Sequence, residues 1–161
     1  MSEKPTTWMA REQWEALVRG ENCPLCTECQ STDRINEYGY MVVDLRLSRL
    51  RLPMNQFVAG YCVLICKRHV REPYHLTAEE RSFFFEDMID AAQAIERVFN
   101  PAKMNFQLLG NAVPHLHAHI VPRYYGDPAP GRPIDPEAQV ITLTAQEYQE
   151  RVQLIQKHLH L

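Results

Sequence analysis

Three stretches of the chain carry apolar residues at the spacing of an amphipathic helix. The first covers residues 9–19 and stops at Gly20, a residue that readily adopts the left-handed conformation found after helices. The others cover residues 77–99 and 144–158, and each opens with a threonine followed three residues later by a glutamate. This pairing is the capping box of a helix N-terminus. The sequence therefore predicts a short N-terminal helix, one long helix and a C-terminal helix.

Other stretches change to the period of two that is typical of strands. Residues 37–52 alternate in this way, and a break of phase at Ser48 and Arg49 indicates a bulge or a turn. Three shorter runs of strand-forming residues are 61–65, 104–109 and 115–121. The first of these is apolar on both faces, as a central strand would be. The last two are expected to be joined by a tight connection at Gly110 and Asn111.

Strands joined by short connections, with helices between and after them, predict an α+β fold around a mainly antiparallel sheet. The length of 161 residues suits a single domain. Its core is expected over residues 37–125, preceded by a cysteine-bearing loop or knuckle at 23–29. Residues 126–136 hold four prolines and predict an extended surface crossing.

Composition narrows the functional classes. The formal net charge of −3 disfavours general nucleic-acid binding, although it leaves room for a local phosphate site. The longest apolar runs are too short for a membrane span, and the first residues lack the apolar stretch of a secretory signal. The five cysteines are odd in number, which argues against a secreted disulfide framework. We therefore expect a cytoplasmic protein without membrane association.

The most informative segment is the run His-Leu-His-Ala-His-Ile-Val at residues 115–121. Side chains alternate along a strand, which places His115, His117 and His119 in a row on one face. One such histidine would suggest an ordinary half-buried strand, but three in register indicate a chemical function. Imidazole titrates near neutrality and can act as a nucleophile, an acid, a base or a metal ligand.

This segment resembles the signature of the histidine triad family, H-φ-H-φ-H-φ-φ with φ hydrophobic, at every position. The residues around it are also similar to that family: Leu109 to Pro114 before the triad, Pro122 to Tyr124 after it, and the run from Gly60 to His69 followed by a long helix. The resemblance covers residues 23–125. It implies a half-barrel-like, five-stranded antiparallel sheet with a long helix, and a homodimer.

The resemblance also implies an activity. In that family the middle histidine, here His117, attacks the α-phosphorus of a nucleoside phosphate derivative and forms a nucleotidyl-histidine intermediate. This corresponds to a nucleotidyl hydrolase or transferase acting on dinucleoside polyphosphates or nucleoside phosphoramidates. His119 would lie close to the phosphoryl oxygens and, if protonated, stabilise their growing charge.

Three further residues are candidate substrate contacts. Asn105 and Asn111 could donate amide hydrogen bonds to the phosphate, although both also suit a turn or the start of a strand. Arg123 follows the triad directly and could steer a phosphate chain, or lie on the surface. The acidic residue that many family members use for the ribose is missing from residues 52–57, where Asn55 or Gln56 could replace it.

The pair Cys23 and Cys26 fits either a redox pair or half of a metal site. A thioredoxin-like pair needs a βαβ context, which the sequence lacks. In the zinc-bearing branches of the family, His69 and His115 would complete a closed, structural Cys2His2 zinc site. Reduced thiols without a ligand are the alternative.

The other cysteines and a group of arginines have simpler interpretations. Cys29 is an alternative third metal ligand, whereas Cys62 and Cys66 are interpreted as small buried apolar residues. Three arginines alternate with leucines, a pattern usual for the solvated face of a strand: Arg46, Arg49 and Arg51.

Two other functions remain open. The phosphate and ribose loops depart from the family pattern, which would suit a nucleotide-binding or interaction protein with little turnover. In a less favoured alternative, all three triad histidines would hold one catalytic metal ion.

Overall fold

The computed structural model describes residues 7–160 of the chain. The α-helices in this range are α1 (Arg11–Val18), α2 (Pro24–Gln30), α3 (Ala78–Phe99) and α4 (Ala145–His158). The strands are β1 (Ile35–Asn36), β2 (Gly39–Asp44), β3 (Ser48–Leu52), β4 (Cys62–Cys66), β5 (Lys103–Gln107) and β6 (His117–Arg123). The predicted α+β fold is confirmed.

The six strands form one sheet in the order β1-β2-β3-β4-β6-β5, and every neighbouring pair is antiparallel. The count exceeds the expected five by the two-residue strand β1. β4 pairs with β6 although α3 and β5 lie between them in the sequence. This crossover places His117 and His119, the last two histidines of the triad, beside the central strand β4.

The helix boundaries follow the capping residues that predicted them. The hydroxyl oxygens of Thr77 and Thr144 accept hydrogen bonds from the backbone N–H groups three residues later, and both capping boxes are complete. Gly20 has a φ of 84° directly after the end of α1. Helices α3 and α4 pack on one face of the sheet, where they cover a large apolar core.

Two connections differ from the prediction. The cysteine segment is not a loop, because Pro24 occupies the first turn of α2, where its missing N–H group costs no helical hydrogen bond. The link from β5 to β6 is not tight, since residues 108–116 contain neither helix nor strand. The turn that joins β2 to β3 covers residues 45–47, just before the phase break, and Ser48 and Arg49 are the first residues of β3.

The interpretation of three arginines as a solvated face is wrong for Arg49 and Arg51. These side chains lie on the sheet face covered by α2, and both are buried. Arg51 Nε donates to Glu28 Oε1 at 2.5 Å, and Arg49 Nε donates to Asp44 Oδ1 at 2.9 Å. Arg46 is exposed, with its guanidinium 4.0 Å from the ring centre of Phe83. Alternation therefore indicated the strand correctly but not what covers its second face.

Residues 126–136 contain no helix or strand, as expected for an extended crossing. Within residues 7–160, no helix combines the length and apolar character needed to cross a membrane. The predicted single domain includes residues 1–6 and 161, which lie outside the described range, and it remains a prediction.

Candidate active site and metal centre

Four side chains from distant parts of the chain meet between α2 and the start of β6. They are Cys23, Cys26, His69 and His115, and their ligand atoms all lie within 4.8 Å of one another. Cys23 Sγ lies 3.4 Å from His115 Nδ1, and Cys26 Sγ lies 3.3 Å from His69 Nδ1. The fold thus brings together the four residues predicted as metal ligands.

Hydrogen bonds fix the orientation of both imidazoles in this cluster. His69 Nε2–H donates to the carbonyl of Val18 at 2.9 Å, and His115 Nε2–H donates to the carbonyl of Cys66 at 2.6 Å. A neutral imidazole that donates from Nε2 carries its lone pair on Nδ1. The two Nδ1 atoms face each other at 3.2 Å, a separation at which two lone pairs repel unless a cation lies between them.

The donor set fits zinc. A tetrahedral ion with Zn–N near 2.0 Å and Zn–S near 2.3 Å separates two nitrogens by about 3.3 Å, and a nitrogen from a sulfur by about 3.5 Å. The observed separations agree with these values. Burial lowers the pKa of His115 to about 4, which favours its neutral, ligating form, and raises the pKa of Cys26 to about 12. A buried thiolate at Cys26 therefore needs a cation beside it.

The remaining cysteines lie outside this cluster. The Cys29 thiol contacts the carbonyl of Cys66 at 3.5 Å, and burial raises the pKa of Cys29 to about 11. Cys62 and Cys66 are buried within the apolar core, as their interpretation required. Among the described residues, no group of converging ligands joins His115 to both His117 and His119. The geometry gives no support to one ion shared by the whole triad.

A backbone hydrogen bond fixes the ring orientation and the tautomer of His117. Its Nδ1–H donates to the carbonyl of His115 at 2.6 Å, so its lone pair lies on Nε2. Burial lowers the pKa of His117 below its ordinary value of 6.5, and the imidazole consequently stays neutral at neutral pH. His115 lies just before β6, and its ring turns towards Cys23 and Cys26, away from His117 and His119.

His119 is held by a residue that the sequence analysis did not single out, Tyr61. The Tyr61 hydroxyl lies 2.6 Å from His119 Nδ1, and the two rings are stacked. Burial raises the pKa of Tyr61, so its hydroxyl stays protonated and can donate a hydrogen bond to His119 Nδ1. In that tautomer His119 carries its proton on Nε2, which has no hydrogen-bond partner within residues 7–160. Burial and the nearby His117 lower the pKa of His119 to about 4, and His119 therefore acts as a neutral donor rather than as the protonated one considered from sequence.

An apolar cavity of about 440 Å³ lies next to the histidines on the β4 side. In the pairing of β4 with β6, Val63 is opposite His119 and Ile65 is opposite His117, so all four side chains share a face. Leu25 of α2, Tyr38 and Tyr61 form other walls of the cavity. Its apolar walls beside polar histidines suit a flat, largely apolar group attached to a polar one.

The three predicted substrate contacts lie in different surroundings. Asn105 lies opposite Val121 on the histidine face. Arg123 donates to both carboxylate oxygens of Asp127, at 2.7 Å and 3.0 Å, and so organises the crossing that follows. Asn111 lies exposed in the 108–116 link.

The two residues considered for ribose recognition hold other parts of the chain. Asn55 donates to the carbonyl of Pro136 and accepts from the N–H of Ile141. Gln56 is buried and donates to the carbonyls of Pro53 and Tyr61. Both amides therefore hold loops together, and ribose recognition by either stays a prediction.

The contribution of Tyr61 could have been suspected from its position at the start of a central strand. What sequence could not show is the register that sets β4 against β6 and brings the hydroxyl to His119. The same holds for Glu28, whose buried carboxylate pairs with Arg51.

Comparison with known proteins agrees with this geometry. A family model described as the HIT domain matches residues 36–126, more than half of the chain. A histidine triad protein from Bradyrhizobium japonicum has the same fold, with a TM-score of 0.69 and 25% identity over 81% of this chain and 97% of its own. A zinc-bound histidine triad family protein from Mycobacterium smegmatis gives a TM-score of 0.59 at 20% identity, over 85% of this chain and 92% of its own.

Curated relatives match a shorter part. A Schizosaccharomyces pombe protein named bis(5'-nucleosyl)-tetraphosphatase (asymmetrical) is 30% identical over 87 residues, which are 51% of this chain and 48% of that protein. The chain spans about half the length of the curated relatives it matches. The family model, the complete triad and the shared fold lead to one conclusion: this chain belongs to the HIT, or histidine triad, family.

Proposed function

We propose that this protein is a nucleotidyl hydrolase or transferase that cleaves at the α-phosphate of dinucleoside polyphosphates or nucleoside phosphoramidates. The observation that carries the proposal is the orientation of His117, whose Nδ1–H donates to a carbonyl while its Nε2 lone pair, beside His119, has no hydrogen-bond partner among the described residues. The name of the S. pombe relative is consistent with this chemistry.

The proposed reaction has two displacements. His117 Nε2 forms a bond to the α-phosphorus while the bond from phosphorus to the leaving group breaks and its electron pair departs with that group. Water or phosphate then forms a bond to the same phosphorus while the bond from phosphorus to His117 Nε2 breaks and its electron pair returns to that nitrogen. When water is the acceptor, it releases a proton to the solvent. His119 Nε2–H donates to a phosphoryl oxygen, where negative charge grows in each step.

The apolar cavity lined by Val63, Ile65 and Leu25 is the proposed position of the nucleoside base. The neighbouring arginines, Arg49 and Arg51, are held by buried carboxylates and carbonyls, and they therefore serve the fold rather than the phosphate. Assembly as a homodimer in the cytoplasm belongs to the same proposal, and light scattering on the purified protein measures the assembly.

Turnover tests the proposal directly. The purified protein is incubated with diadenosine tetraphosphate and with adenosine phosphoramidate, with and without added phosphate, and the nucleotide products are separated. AMP without phosphate, or ADP with it, is expected, together with an AMP adduct on the protein after rapid quenching. Binding of AMP without any turnover would replace the proposal with the nucleotide-binding alternative.

We further propose that the Cys2His2 cluster holds one structural zinc ion. Such a closed site supplies no open coordination position and ties α2 to the start of β6. Cys26→Ser is expected to remove the zinc and to lower Tm by roughly 10 °C. In a domain of this size, this shift corresponds to a loss of about 4 kcal/mol of the stabilisation that zinc binding gives the folded state. Metal analysis and thermal unfolding measure both effects.

Cys29→Ser is the matched control for this prediction, because it changes a thiol three residues away on the same helix. It is expected to keep one zinc ion per chain. Loss of zinc from Cys29→Ser with retention in Cys26→Ser would assign the third ligand to Cys29 instead.

Tyr61→Phe tests how His119 is positioned. The substitution keeps the ring stacked on His119 and removes only the hydroxyl, so the proton can move from Nε2 to Nδ1. We expect kcat to fall by roughly 10- to 100-fold with little change in KM, the usual effect of losing a hydrogen bond that orients an active-site histidine. The 15N chemical shifts of the His119 ring report the change of tautomer.

Tyr124→Phe is the corresponding control, since the Tyr124 hydroxyl donates to the carbonyl of Ala59 and not to a histidine. It should leave both kcat and the His119 ring signals unchanged. Equal losses in the two variants would reduce Tyr61 to a packing role.

A further inference from the structure

A single buried amide, that of Gln56, connects α4 to the turn that carries Tyr61. Its Nε2–H groups donate to the carbonyl oxygens of Pro53 and Tyr61, at 3.0 Å and 2.9 Å. Its Oε1 accepts from the backbone N–H of Gly60 at 3.2 Å and from Arg151 Nη1 of α4 at 3.0 Å. All four hydrogen-bonding positions of the amide are thus used. The side chain is 1% exposed, so the loss of any of these bonds leaves a buried polar group unsatisfied.

The turn before β4, which this amide holds, is also fixed from its other sides. Gly60 has a φ of 85°, and a Cβ atom at this position would lie 2.6 Å from the ring of Phe99. The Tyr124 hydroxyl donates to the carbonyl of Ala59 at 2.6 Å. The guanidinium of Arg151 lies 5.6 Å from the centre of the same Phe99 ring. Side chains of α3, of α4 and of the segment after β6 therefore meet at this turn.

Tyr61 extends from the turn to the candidate active site. Its ring packs against Phe57, with 4.7 Å between the ring centres, and its hydroxyl lies 2.6 Å from His119 Nδ1. Because a hydrogen bond weakens steeply when its geometry is disturbed, the contact with His119 depends on how the backbone of Tyr61 is held. Gln56 holds that backbone at its carbonyl oxygen.

We propose that Gln56 is a positioning residue: its amide, anchored to α4 by Arg151, sets the position of the Tyr61 hydroxyl and thereby keeps the proton of His119 on Nε2. The inference rests on the proposed function, because it is the Nε2–H group that donates to the phosphoryl oxygen in the proposed reaction. The positive charge of Arg151 beside Oε1 polarises the amide and strengthens the bond from Nε2–H to the Tyr61 carbonyl. Helix α4 thus acts on the site through two side chains.

Gln56→Leu tests the proposal with two readouts, because it removes the amide and keeps an apolar side chain of similar size. The 15N chemical shifts of the His119 ring, recorded without substrate, are expected to move from those of the Nε2–H tautomer towards a mixture of both tautomers. We expect kcat to fall about tenfold while KM stays within twofold. A rise in KM with unchanged ring signals would assign Gln56 to ribose recognition and overturn the proposal.

Arg151→Met keeps the proposal testable if Gln56→Leu does not fold. It removes the charged donor to Oε1 at a half-buried position and leaves the amide itself in place. The ring signals of His119 should move in the same direction as in Gln56→Leu, with a smaller fall in kcat of about threefold. Ring signals identical to those of the wild type would contradict the positioning role.

Gln156→Leu is the matched control, because it removes an α4 amide that donates to the carbonyl of Val42. Val42 belongs to β2, which is adjacent to neither β4 nor β6. The control should leave the His119 ring signals and kcat unchanged, and changes equal to those of Gln56→Leu would overturn the proposal. If the wild type turns over no nucleotide but the ring signals still respond to Gln56→Leu, the proposed reaction fails and the positioning role stands.

Discussion

Replacement of His117 by alanine is expected to lower kcat for nucleotide turnover by at least about 10⁴-fold, because the variant lacks the atom that forms the covalent bond to phosphorus. The backbone of β6 and the cluster of cysteines and histidines should remain, since within residues 7–160 the His117 side chain makes one hydrogen bond, to the carbonyl of His115. Rapid quenching followed by mass spectrometry should find the AMP adduct in the wild type and none in the variant.

Two further histidine variants serve as comparisons for His117→Ala. His119→Gln keeps an amide donor near the phosphate and is expected to cost less than His117→Ala. His158→Ala removes a histidine near the end of α4, outside the site, and should leave turnover unchanged. Retention of more than about a tenth of wild-type activity by His117→Ala would exclude the covalent route at this residue.

The features that the sequence predicted well are those set by neighbouring residues. Capping boxes at Thr77 and Thr144 placed the long and C-terminal helices, because a threonine and a glutamate three residues later satisfy each other's backbone groups. The alternation through residues 117–121 placed the two catalytic candidates on one face of β6. The cluster of cysteines and histidines was predicted through resemblance, and the fold brings all four residues together.

What could not be predicted depends on which elements cover which face. The alternation of arginines with leucines in β3 has the same form whether the polar face meets water or a helix, and only the packing of α2 decides that Arg51 is buried. The pairing of Tyr61 with His119, which are 58 residues apart in the sequence, likewise depends on the register between β4 and β6. Both features are tertiary, and local pattern carries no information on them.

The buried pair of Glu28 and Arg51 is expected to give the largest stability effect outside the metal cluster. Glu28→Ala leaves the Arg51 guanidinium, a fully buried group, without its carboxylate in a low-dielectric environment. We expect the free energy of unfolding to fall by about 3 to 5 kcal/mol, the usual cost of breaking a buried ion pair from one side. Chemical denaturation of the zinc-loaded protein measures the loss.

The double variant Glu28→Leu with Arg51→Met separates an unpaired charge from lost packing. Removing both charges avoids the uncompensated guanidinium, so this variant should be more stable than Glu28→Ala, although Arg51 also donates to the carbonyls of Asp33 and Gly39. Glu86→Ala, which removes an exposed carboxylate on α3, should change stability by less than about 0.5 kcal/mol. If Glu28→Ala behaves like Glu86→Ala, the pair does not anchor α2. The position of Cys23 and Cys26 beside β6 would then depend on the metal alone.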